Sequence, residues 1–180
     1  MTTGPTLIEK ARAFATKAHE GQQRKYTGEP YINHPEEVAR IVSEAGGDTA
    51  MICAALLHDV VEDCGILPGT ILAEFGEEVA DLVYWLTDVS TPADGNRAAR
   101  KALDRAHIAQ ASAAAQTVKL ADLISNSSTI VRHDRGFARV YLEEKAALLE
   151  VMHNGSRELH ARAAIIVSEG RVTVARKPPE

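Results

Sequence analysis

Four places along the chain set hard or borderline metal-ligand side chains among apolar neighbours. They are His34 ahead of Pro35, the pair His58-Asp59, the pair Glu62-Asp63, and Asp122 in Val118-Lys119-Leu120-Ala121-Asp122. Two imidazoles and two aspartates form a mixed nitrogen and oxygen set suited to Mn, Fe, Co or Zn, and ligand type alone does not choose among them. A divalent ion held this way can lower the pKa of its water to roughly 7 and polarise a phosphoryl oxygen. His58 and Glu62 are four residues apart, as are Asp59 and Asp63. On one helix this would put a second acidic pair a turn beyond the first, where a carboxylate can act as general base.

Each residue also has a plain reading. His58 could end a helix, Glu62-Asp63 could be a solvated helix terminus, His34 could cap a helix, and Asp122 could pair with Lys119. Together they are harder to dismiss. Asp122 and His58-Asp59 both interrupt strongly apolar segments, where an uncompensated charge is costly to bury. His19, His107, His133, His153 and His160 lie among charged neighbours and are assigned no role.

The elements that must position these groups are helical. Thr6 with Glu9 reads as a capping box opening a helix that runs to Gly21, with Ile8, Ala11, Ala15 and Ala18 on one face. Tyr26 to Tyr31 is punctuated as a loop; Pro35 suits the start of a helix and Gly46-Gly47 its stop. Asp48 is a plausible N-cap for a helix from Met51 to about Asp63, apolar on every side until its charged end, so a central, surrounded rod is expected. Further helices are predicted over 69–75, 77–86, 97–110, 117–131, 137–153 and 156–168, with a loop from Asp88 to Asn96. Only Arg171–Ala175 alternates like a strand, which predicts a short terminal strand, a hairpin or a tail. The expected architecture is an all-α, single-domain helical bundle over 1–180, with its core at about 5–168 and a tail at 169–180.

Composition removes several classes. With 20 Lys+Arg against 25 Asp+Glu the net charge is −5, and 45% of residues are hydrophobic but only 4% aromatic. This argues against disorder and against nucleic acid as a partner. Cys53 and Cys64 cannot build a disulfide framework or a four-cysteine zinc site. No leader pattern and no run of about 18 apolar residues is read, so a cytoplasmic protein with no membrane association is expected. A small-molecule partner fits better, and a homo-oligomer is left open.

The order His34…His58-Asp59…Asp122 resembles the H…HD…D pattern of HD-domain phosphohydrolases. More narrowly, Arg24-Lys25…Gly28-Glu29-Pro30-Tyr31-Ile32-Asn33-His34-Pro35, Leu56-Leu57-His58-Asp59-Val60-Val61-Glu62-Asp63, Glu74-Phe75-Gly76 and Leu120-Ala121-Asp122…Asn126 are similar to Rel/SpoT-type hydrolase domains and Mesh-type stand-alone small alarmone hydrolases. The resemblance spans roughly residues 8–131. It implies an all-α, usually Mn²⁺-dependent enzyme that removes the 3′-pyrophosphate of (p)ppGpp. By motif position His34, His58, Asp59 and Asp122 would hold one divalent ion, while Glu62 and Asp63 would position and deprotonate water. Arg24 and Lys25 would meet substrate, and Asn126 would touch the nucleotide.

A second basic cluster, Arg97, Arg100, Lys101 and Arg105, shares a helix face; Lys101 is the candidate phosphate contact there. Tyr141 could stack on a base or ribose, or belong to the core. The chain departs from the family at Leu123, where a basic residue is common, at Ser125–Thr129, and at Thr87-Asp88. Two competing functions follow: an HD phosphatase acting on NADPH 2′-phosphate or a deoxynucleoside monophosphate, and a non-catalytic alarmone-binding regulator. Glu62-Asp63 argues against the regulator, which needs cations but no water-activating base.

Overall fold

A computed structural model describes residues 4–176 of the chain. It divides into two compact units, one ending at Asp88 and one beginning at Val89.

The first unit is built around an apolar rod. Helix α1 (Leu7–Ala18) opens at the expected Thr6–Glu9 capping box and buries Ala11 and Ala15. Helix α2 (Asn33–Glu44) begins two residues before Pro35 and buries His34, Val38, Ile41 and Val42. Helix α3 (Thr49–Leu57) is capped by Asp48, whose carboxylate accepts the Met51 N–H at 2.9 Å. Cys53 through Leu57 are wholly buried, and α3 packs against α1, α2 and α6 (Glu77–Leu86). Gly47 permits the tight turn from α2 into α3: a Cβ there would meet Val42 Cγ1 at 2.5 Å.

The rod does not run to Asp63. It stops at Leu57, turns through His58-Asp59, and resumes as α4 (Val60–Cys64). The His58 ring bonds back to the Ala55 carbonyl at 2.8 Å, a side-chain bond that competes with helix continuation. Helix α5 (Pro68–Phe75) then packs on α6.

The second unit holds α7 (Arg97–Ala109), α8 (Ala113–His133), α9 (Arg135–Leu149) and α10 (Arg157–Ala175), with α8, α9 and α10 packed on one another. A buried amide ties its connections together. Gln116 donates to the carbonyls of Ile108 at 3.2 Å and Ala111 at 3.5 Å, and accepts the Asn154 N–H at 3.0 Å. One helix turn of α8 thereby fixes both the α7–α8 and the α9–α10 loops.

The strand expected over Arg171–Ala175 is instead the last turns of α10. Its alternating valines fit a strand locally, but Val167, Gly170 and Val174 recur at helical spacing and are buried. Gly170 lies so close to α9 that a Cβ would be 3.0 Å from Leu142 Cδ2. Arg135 and Arg139 donate to the terminal carbonyls of Thr173 and Val174, and Arg171 pairs with Glu143. Tertiary partners override the local preference here. The expected tail from 169 is thus helical to Ala175, and its residues 177–180 lie outside the described residues.

Replacing Gln116 with Leu should leave the Asn154 N–H and the Ala111 carbonyl without this partner and cost about 2 kcal/mol. Urea unfolding of the variant against the parent measures it; an unchanged midpoint would refute the role given to this amide.

Candidate functional site

His34 and His58 are each only 2% exposed, on α2 and at the turn after α3. Asp59 lies between them: its Oδ2 is 3.1 Å from His58 Nε2 and 3.7 Å from His34 Nε2. Ligand atoms of the three residues all fall within 4.8 Å of one another. Bonds of about 2.0–2.2 Å to one ion set ligand atoms about 3–4.4 Å apart, so the triad needs only a small contraction to hold a divalent metal.

The tautomer at His58 follows from its partner. The Ala55 carbonyl can only accept, so Nδ1 donates to it and Nε2 is the ring nitrogen turned toward Asp59. The donor set therefore fits a metal.

Asp59 is also held from its other side. The Tyr31 hydroxyl donates to Asp59 Oδ2 at 2.7 Å. Burial, then the charges of Asp59 and Asp63, pushes this phenol far above the ordinary tyrosine range, so it stays a donor. His19 packs against the Tyr31 ring at a centroid distance of 4.7 Å, and its Nδ1 meets Gln22 Oε1 at 2.8 Å. Contrary to the sequence reading, His19 is not a surface residue: it is 3% exposed and lies 3.2 Å from the Cys64 sulfur. Tyr31 and His19 are the residues that sequence reasoning missed. Tyr31 had a signal, a hydroxyl three positions ahead of His34 in the same block.

The two acidic residues of α4 have different surroundings. Glu62 accepts the Asp88 N–H through Oε1. Asp63 instead feels Asp59, Tyr31, His19 and His58. Loss of solvation, and then the Asp59 charge, raise the Asp63 carboxyl above its ordinary value, against the lowering pull of Tyr31 and the two histidines.

Arg24 and Lys25 sit in a tight turn where Arg24 N–H donates to Glu29 O at 2.8 Å and Gly28 N–H to Arg24 O at 3.0 Å. The Lys25 ammonium lies 4.9 Å from the Tyr26 ring centroid.

The other candidates belong to the second unit. Asp122 is buried on α8, with Asn126 Nδ2 donating to its Oδ1 at 2.8 Å and Lys119 Nζ 3.4 Å from Oδ2. Lys101 is paired with Asp104 at 3.1 Å, and Asp104 also accepts the N–H groups of Val89 and Ser90. Arg97, at the head of the same basic cluster, makes a two-pronged pair with Glu144 at 2.7 and 2.8 Å. Tyr141 is buried on α9, with the Lys145 ammonium 5.0 Å from its ring centroid. Leu123 is buried, and Ser127 donates to its carbonyl at 2.7 Å, so two of the departures from the family pattern serve packing.

Residues 11–136 match the HD domain profile. A 135-residue stretch is 42% identical to the guanosine-3′,5′-bis(diphosphate) 3′-pyrophosphohydrolase MESH1 of Xenopus tropicalis, covering 73% of this chain and 74% of that protein. The chain belongs to the HD-domain family. A second relative of this HD protein, a probable guanosine-3′,5′-bis(diphosphate) 3′-pyrophosphohydrolase of Synechocystis, is 52% identical over 90 residues, covering 49% of this chain and 12% of the relative. Among solved structures, a metazoan ortholog of SpoT described as hydrolysing ppGpp superposes with a TM-score of 0.83 at 25% identity, over 94% of this chain and 98% of that one. The all-α architecture is thus that of a known HD fold.

The raised Asp63 carboxyl has a consequence for stability. A carboxyl raised in the folded state binds its proton more tightly there than in the unfolded chain, so stability falls as pH climbs through the interval between the two pKa values. Metal-free Asp63→Asn protein should therefore melt higher than the parent at about pH 7, with the gap closing as pH falls below the ordinary carboxylate range. Thermal melts across pH test it; a lower melting temperature for the variant at neutral pH would contradict the assignment.

Proposed function

We propose that this HD protein hydrolyses the 3′-pyrophosphate of guanosine polyphosphates, taking ppGpp and water to GDP and pyrophosphate, and pppGpp to GTP and pyrophosphate. The observation that carries the reading is the convergence of His34, His58 and Asp59 beside Asp63, in a chain similar to pyrophosphohydrolases along most of its length. The family match runs from 11 to 136, across the point where the chain divides, which supports reading 1–180 as one HD-type domain.

His34, His58 and Asp59 would hold the divalent ion, with Asp122 as fourth ligand on the strength of the H…HD…D order and its burial in an apolar helix. Mn²⁺ is the ion that the resemblance to Rel/SpoT-type hydrolases implies, and two imidazoles with two carboxylates admit it. When bound, the ion supplies Lewis-acid polarisation and a more acidic water. Asp63, whose proton affinity is raised, accepts the proton of the attacking water, and Glu62 orients that water. Arg24 can grip a phosphate with two parallel bonds and Lys25 can add a point charge.

Asn126, already bonded to Asp122, is the candidate nucleotide contact. For Lys101 to reach a phosphate it must exchange Asp104 for it, and for Tyr141 to stack on a base Lys145 must leave the ring it covers. No helix among the described residues is long and apolar enough to cross a membrane. A cytoplasmic location, a free nucleotide as partner rather than nucleic acid, and room for a homo-oligomer complete the proposal.

The deciding experiment offers ppGpp, pppGpp, NADPH and deoxynucleoside monophosphates to the Mn²⁺-supplemented protein and identifies products. Pyrophosphate with GDP or GTP is expected, abolished by EDTA. Orthophosphate from NADPH or a deoxynucleotide, with no pyrophosphate from the alarmones, would replace this reading with the other HD phosphatase chemistry. Asp59→Ala should lose metal and turnover together. Asp63→Ala should keep metal while kcat drops at least about 100-fold; full turnover would remove the base assignment.

A further inference from the structure

Tyr31 reaches the site without being a metal ligand or a carrier of substrate charge. Its hydroxyl donates to Asp59 Oδ2 at 2.7 Å, the same oxygen that faces His58 Nε2 at 3.1 Å and His34 Nε2 at 3.7 Å. The phenol and the two imidazole nitrogens thus gather on one carboxylate oxygen. We infer that Tyr31 is a positioning residue: its hydroxyl fixes which face of the Asp59 carboxylate meets the metal.

A neutral donor on the Asp59 carboxylate fixes its orientation without adding a cation that would compete with the metal. The phenol is itself braced. The His19 ring lies 4.7 Å from it on one side and the His34 ring 6.0 Å away, edge-on, on another. Gln22 links this brace to α4: its Oε1 accepts from His19 Nδ1 at 2.8 Å and its Nε2 donates to the Asp63 carbonyl at 3.3 Å. Backbone pairing of Tyr31 N–H to Gln22 O at 3.0 Å closes the turn that carries the ring. The motif block that precedes His34 therefore delivers a donor to the opposite end of the site, at Asp59.

The inference rests on the proposed metal-dependent hydrolysis, and its test separates the two. Tyr31→Phe keeps the ring and its packing on His19 and His34 and removes only the hydroxyl. Mn²⁺ affinity is measured by titration calorimetry on metal-stripped protein, and kcat and KM for ppGpp at saturating Mn²⁺, for parent and variant. The Mn²⁺ dissociation constant should rise about 10- to 100-fold, the range for losing a partner of a metal ligand. At saturating Mn²⁺ kcat should fall by about tenfold with KM nearly unchanged, because the hydroxyl orients Asp59 and does not bind the nucleotide. A merely structural phenol would move the melting temperature of the metal-free protein and leave the Mn²⁺ dissociation constant alone. If the parent binds Mn²⁺ and hydrolyses ppGpp while the variant matches it in both dissociation constant and kcat, the role of Tyr31 falls and the hydrolase reading stands. If the parent itself binds no Mn²⁺, both fall together.

Discussion

A single carboxylate at the end of a buried apolar rod organises the first unit. Asp59 follows Leu56, Leu57 and His58, all of them buried, and cannot be left there without partners. Its oxygen Oδ2 collects a phenol and two imidazole nitrogens. Asp59 stands at the turn that breaks the rod, one helical turn before Asp63 on α4. The apolar burial of α3 and the polarity of its end are two sides of one design: the rod supplies rigidity, and its terminus supplies a fixed place for charge.

What could be read from the sequence was largely what is decided within a few residues. The Thr6–Glu9 box and the Asp48 cap are local hydrogen-bonding patterns, and both occur as expected. The types His34, His58 and Asp59 stood out because charge among apolar residues is rare, and these three do converge. The break at His58-Asp59 was not legible, because it depends on a ring turning back on the Ala55 carbonyl. The end of α10 misled for a related reason. Val172, Thr173 and Val174 favour a strand by themselves, and only Leu142 on α9, with Arg135 and Arg139 at the final carbonyls, makes them helical.

Residues whose role is to hold other residues were the hardest to see. Tyr31 and His19 carry no charge pattern and no ligand spacing, yet they back Asp59 and Asp63. The basic cluster on α7 has partners of its own within the fold. Arg97 and Lys101 look like a phosphate rim in sequence, but in the fold they meet Glu144 and Asp104, and Asp104 in turn ties down Val89 and Ser90. Charge on a helix face is as readily spent on an intramolecular partner as on a ligand.

The bond from His58 Nδ1 to Ala55 reaches beyond tautomer choice. With one imidazole anchored to backbone and the other enclosed on α2, the ordering of both rings is completed as the helices pack. Small zinc domains differ in this respect, because there the ion itself organises its ligands and chelation unfolds the chain. Here the two rings are held by a backbone carbonyl and by the packing of α2 against α3.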